Sequence, residues 1–164
     1  MTRDFTQPAN GHDRPREADG LIGVLIVDEA ILTRDCLVKF LQNAVPEFVV
    51  TAVGHCQDVQ VGACVPDVVV LNGKTRSFPD RELSAEADNI MAMWPGVPRL
   101  IISEKPAPPA TGLDVIRRGW QGYFPAEDGT KLLIAAIRLI ALGGVFIPAR
   151  TVDFCVSRMS RSGQ

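Results

Sequence analysis

The chain has 164 residues, 46% hydrophobic and 22% charged, which suits one domain with a single buried core. A formal net charge of −2 and a pI near 5.7 give no clustered cationic footprint, so nucleic-acid binding by this chain is not expected. No apolar run approaches the roughly 20 residues of a membrane span. Residues Met1 to Gly20 also lack the apolar centre of a secretory signal. A cytoplasmic protein with no membrane partner is expected.

Residues 1–20 carry Pro8, Asn10, Gly11, Pro15 and Gly20 among alternating charges, and read as a disordered leader. Order is expected from Leu21. The run Leu21 to Val27 is short, β-branched and apolar on both faces, the pattern of a central parallel strand, and it stops at Asp28-Glu29. A helix follows over Ala30 to Ala44, with Ile31, Cys36, Leu37, Phe40 and Leu41 at helical spacing before Pro46. Phe48 to Val53 is a second strand, and Asp58 to Cys64 a short helix. Val68 to Leu71 makes a third buried strand, ended by Asn72-Gly73, and Lys74 to Arg81 reads as a polar loop. A helix over Glu82 to Trp94 leads to a fourth strand, Arg99 to Ser103. Pro106, Pro108 and Pro109 delay the next helix to Gly112–Arg118. Gly122 to Phe124 is a short fifth strand. The helix Lys131 to Leu142 closes at Gly143-Gly144. Residues 149–164 read as a tail or the start of a linker.

Five buried strands alternating with helices predict an α/β fold: a doubly wound, five-stranded parallel sheet in a flavodoxin-like α/β/α sandwich spanning residues 21–148. In such sheets ligands sit beyond the carboxyl ends of the strands. The residues to inspect are therefore Asp28, Glu29, Gly54, Asn72, Ser103 and Pro125-Ala126. The adjacent carboxylates Asp28 and Glu29 have two readings. They suit a divalent cation such as Mg²⁺, or they favour the positive end of the following helix. The four cysteines, Cys36, Cys56, Cys64 and Cys155, form no CxxC pair and read as small apolar fillers. His55-Cys56 lacks the second ligand pair that a zinc site needs.

Taken in order, these strand ends resemble the receiver domains of response regulators, the CheY-like fold. Val24-Leu25-Ile26-Val27-Asp28-Glu29-Ala30 resembles the opening strand with its acidic pair. Pro66 to Asn72 resembles the third strand, and Pro98 to Ser103 the fourth. Gly119 to Ala126 resembles the fifth. The segment from Ala135-Ala136-Ile137-Arg138 to Pro148 is similar to the close of receivers attached to LuxR-type helix-turn-helix domains. The resemblance implies a role in two-component phosphorelay signal transduction and transcription regulation. It implies a phosphoacceptor aspartate at position 72, a lysine at 126, a switch hydroxyl at Ser103 and a switch aromatic at Tyr123. The chain departs from it at two of these positions, with Asn72 and Ala126.

A carboxamide has no anionic oxygen to attack a phosphoryl donor. The loss of the aspartate offsets the loss of the lysine. A like-charge contact at 4 Å amounts to about 4 kcal/mol at an effective dielectric near 20, before relaxation and screening. The expectation is an atypical pseudo-receiver, not an enzyme, with a pocket of Asp28, Glu29 and Asn72 that faces no ammonium and tolerates the absence of metal. Ser103 also reads as a strand-end hydroxyl bonded to backbone, and Tyr123 as a half-buried core aromatic. Asn72-Gly73 is either a deamidation-prone pair or a tight loop. The expected partners are another protein or a second copy, by way of helix Lys131–Leu142 and positions near Trp120, residues that also read as core, with a sensor histidine kinase upstream. The alternatives are a phosphate-accepting receiver of a phosphorelay, or a small-molecule-binding flavodoxin-like domain. Against the latter, no glycine-rich phosphate cradle follows the first strand. Thr151 to Gln164 is too short for a helix-turn-helix domain.

Overall fold

Side chains alternate between the two faces of a strand, so a strand apolar at every position must be covered on both sides. The computed structural model describes residues 20–60, 64–76 and 80–162; apart from Gly20, the expected leader lies outside them. Strands β1 (Ile22–Val27), β2 (Phe48–Val53), β3 (Val68–Asn72), β4 (Arg99–Ser103) and β5 (Gly122–Pro125) form one parallel sheet in the order β2-β1-β3-β4-β5. The winding reverses between β1 and β3, which opens a crevice above their carboxyl ends.

The alternation decides the layers. Val24, Ile26, Val68, Val70, Leu100 and Phe124 face one side. There they pack with Leu41 of α1 (Ile31–Ala44) and with Leu133, Ile137 and Ile140 of α4 (Thr130–Ala141). Leu25, Val27, Val69, Leu71 and Ile101 face the other side. They meet Leu83, Ala87 and Ile90 of α2 (Arg81–Met93) and Val115 of α3 (Thr111–Arg117). Asp80 starts α2 by accepting the Leu83 N–H at 2.9 Å. Gly143, at φ 88°, provides the left-handed residue that stops α4.

Four expectations are corrected. The helix expected over Asp58–Cys64 is replaced by a single 3-10 turn, Cys56–Asp58, closed by the Asp58 carboxylate accepting the His55 N–H at 3.0 Å. Val59, Gln60 and Cys64 to Pro66 are not helical, and residues 61–63 lie outside the described residues. β-Branched Val59 and the nearby Pro66 leave little to propagate a helix. Second, the expected tail carries a helix, α5 (Ala149–Ser162), because Val152, Cys155, Val156 and Met159 recur at helical spacing. Buried Thr151 docks it on α3, and the close approach needs Gly112: a Cβ there would lie 2.9 Å from the Thr151 hydroxyl. Third, Trp120 is buried in the α2–α3 layer and adds nothing to a surface patch. Fourth, Cys56 alone is a core filler; Cys36 and Cys64 are exposed and Cys155 is half-buried, all four as free thiols. Among the described residues no helix is long and apolar enough to cross a membrane.

Asp80→Ala removes the cap of α2 and is expected to lower stability by about 1 kcal/mol in urea denaturation, while Asp80→Asn keeps most of it. Equal losses for the two variants would contradict the capping role.

Candidate functional site

The site grows from the ends of β1 and β3. Where β1 stops, the chain turns over Asp28, whose Oδ1 accepts the Ala30 N–H at 2.9 Å. Its main-chain carbonyl accepts the Arg34 guanidinium at 2.8 Å. Asp28 is 1% exposed, so its carboxylate needs partners inside the protein. Asn72, the last residue of β3, supplies one: its Nδ2 donates to Asp28 Oδ2 at 2.9 Å. The Oδ1 of the same carboxamide accepts the Lys74 N–H at 3.0 Å. Each end of the amide thus meets its complement, and the reverse orientation would set like groups against each other.

The expectation of a pocket without an ammonium is corrected here. Lys74 Nζ lies 3.2 Å from Glu29 Oε1 and 3.6 Å from Asp28 Oδ1. Arg76 joins the same cluster, pairing with Glu29 through one nitrogen and with Glu82 through another at 3.0 Å. The cations come from the loop after β3, not from the end of β5. They were missed because Lys74 to Arg81 reads as a solvated loop. The available signal was position: Lys74 and Arg76 stand two and four residues beyond a strand end, on the rim where ligand groups gather. The hydrogen bond from Lys74 holds the Glu29 carboxyl below its ordinary value; partial burial opposes this, and the charges of Arg76, Lys74 and His55 add to it.

A cavity of about 390 Å³ opens over the site, lined by Asp28, Glu29, His55, Asn72, Arg76 and Glu86 among others. Asn72 also borders a second, mostly apolar cleft of about 290 Å³ between α1 and the start of α4. Ala126 lies there, exposed at the head of a 3-10 turn, Ala126–Asp128, with only a methyl group to offer. Buried Ser103 donates its hydroxyl to the Lys105 carbonyl at 3.1 Å. The ring of Tyr123 is buried against the α2–α3 layer, and its hydroxyl has no hydrogen-bond partner among the described residues.

His55 and Cys56 diverge. The imidazole stands 3.7 Å from Glu86, while the Cys56 thiol is buried and pushed up to about 12, by burial first and by Glu86 second. Among the described residues, no group of three or more His, Cys, Asp and Glu side chains could hold a metal ion. At Asn72-Gly73 the Gly73 N–H donates to the Ile102 carbonyl at 2.8 Å, and a Cβ on Gly73 would lie 3.1 Å from that oxygen. The small residue therefore serves a close approach, and the nitrogen that would attack the Asn72 side chain is held by β4.

No protein-family model matches the chain, and no curated protein matches it. Solved structures do. A LuxR family DNA-binding response regulator from Silicibacter pomeroyi aligns at 22% identity and a TM-score of 0.57, covering 79% of this chain and 98% of that one. A LuxR family two-component response regulator from Aurantimonas sp. aligns at 17% identity and a TM-score of 0.65, covering 85% and 99%. A response regulator from Thermotoga maritima aligns at 16% and 0.55, covering 74% and 98%. The fold is that of a receiver domain. At these identities the likeness establishes the architecture, and the chemistry must be read from the chain's own residues.

The lowered Glu29 value makes a pH prediction. A carboxyl lowered on folding adds stability that is fully present above its unfolded value, near 4.5, and is lost as pH falls through the lowered folded one. Glu29, followed by carbon NMR of its side-chain carboxyl, is expected to titrate below the same residue in the urea-unfolded chain. Coincident titrations would contradict the pairing with Lys74.

Proposed function

We propose that the chain is a receiver-type signalling module of a two-component pathway that works through protein contacts and not through phosphorylation. The observation that carries this reading is the Asn72–Asp28 hydrogen bond at 2.9 Å. A receiver of this type needs an anionic nucleophile at the end of β3, free to attack a phosphoryl donor. This chain has a neutral carboxamide there, with both of its ends already engaged. Ala126 offers no ammonium to a phosphoryl oxygen.

The resemblance implies Mg²⁺ beside Asp28 and Glu29, and the residues present do not fit it well. Mg²⁺ demands near-octahedral oxygen coordination at about 2.0–2.1 Å, and Lys74 places an ammonium against both carboxylates. No step of the proposed function passes through a metal.

A contact role is supported by apolar side chains left on the surface. Leu132 and Leu139 are exposed on α4, Leu142 is exposed just beyond its end, and Val152, Val156 and Met159 are exposed on α5. Another protein of the pathway, a sensor histidine kinase among them, or a second copy of the chain would cover such faces. The resting conformation is then set by the sequence, with partners selecting it rather than a phosphoryl group switching it.

The test is incubation with acetyl phosphate and Mg²⁺, followed by intact mass measurement. The expected result is an unchanged mass; a stable gain of one phosphoryl group would overturn the proposal.

A further inference from the structure

We infer that Lys74 is the resident cation of the acidic pocket, holding the place of a divalent ion between Asp28 and Glu29 and keeping such ions out. The inference deepens the proposed function by assigning a specificity-determining residue to the same pocket.

Position is the first argument. The Lys74 ammonium lies 3.2 Å from one carboxylate and 3.6 Å from the other, and the Asp28 side chain is wholly shielded from water. An ammonium is a compact point charge with three donors on a flexible stem, suited to serve two carboxylates at once. Backbone is the second argument. Lys74 has φ 51°, the left-handed region, and among the described residues no other non-glycine shares a positive φ. A lysine there is disfavoured by about 1–2 kcal/mol, which glycine would avoid. The conformation is held by Asn72, whose Oδ1 accepts the Lys74 N–H at 3.0 Å. One carboxamide thus satisfies buried Asp28 and fixes the turn that brings the ammonium to it.

Charge is the third argument. Asp28 and Glu29 contribute two negative charges; Lys74 returns one positive charge to both, and Arg76 returns a second that it divides between Glu29 and Glu82. A divalent ion entering this cluster must displace the ammonium or meet it as a like charge. Removing the Lys74 charge alone leaves the carboxylates under-neutralised and recreates the demand for a cation. Glu29 also retains Arg76, so the gained affinity should be moderate.

Mn²⁺ is the probe, read by paramagnetic broadening of the Ala30 amide and the Asn72 side-chain amide. The variants are Lys74→Asn and Lys74→Gly, since both residues tolerate the left-handed backbone and fold without the added strain. Each is expected to bind Mn²⁺ at these positions at least about tenfold more tightly than the wild type, a difference of about 1.4 kcal/mol. Adding Glu29→Gln is expected to abolish the gain. Wild-type binding as tight as that of the variants, no gain in either variant, or a gain that survives Glu29→Gln would each overturn the inference. A phosphoryl adduct in the mass experiment would refute the contact-module reading, whereas metal binding to the unmodified wild type as tight as that of the variants refutes only the role of Lys74.

Discussion

The hydrogen bond between the Asn72 carboxamide and the Asp28 carboxylate is the constraint on which the site depends. Asp28 is buried at the point where the sheet reverses its winding, and a buried carboxylate without donors is costly. The amide donates to it, and the amide's own oxygen fixes the Lys74 turn. The turn in turn carries a cation back to Asp28 and Glu29, and Arg76 extends the cluster to Glu82 in the first turn of α2. A single neutral side chain therefore organises the end of β3, the β1–α1 turn and the entry to α2.

The strands were legible because they obey one strong rule. In a doubly wound sheet the central strands are buried on both faces, so Val24 to Val27 and Val68 to Leu71 announce themselves as unbroken apolar runs. The helices α1, α2 and α4 have enough turns for their apolar spacing to show. The segment after β2 was misread because its short, weakly amphipathic stretch leaves helix and turn near balance, and tertiary contacts decide. There Glu86 of α2 accepts the Cys56 N–H at 2.7 Å and holds a single 3-10 turn in place. α5 was missed for the opposite reason. Its pattern was present, but polar residues outnumber apolar ones, and only its first turn has a buried anchor in Thr151.

At the site, the sequence located the carboxylates and the asparagine because each follows a strand. It did not reveal which loop cations return to them. Charged side chains on a loop reach many points, and their placement depends on backbone geometry, here the left-handed turn at Lys74. Trp120 shows the same limit in the core. The surroundings of Trp120 read either as a surface patch or as core, and the ring itself joins the buried cluster of α2, α3 and β5 that also holds Tyr123.

Position 72 is fitted to a neutral donor, and replacing that amide by a carboxylate tests this fit most directly. Asn72→Asp sets an anionic oxygen against Asp28 where an N–H now donates, and the pair has little access to water. Urea denaturation at neutral pH without divalent ions should then show a loss of about 2 kcal/mol. A variant as stable as the wild type, or more stable, would contradict the claim that the amide holds this pocket together.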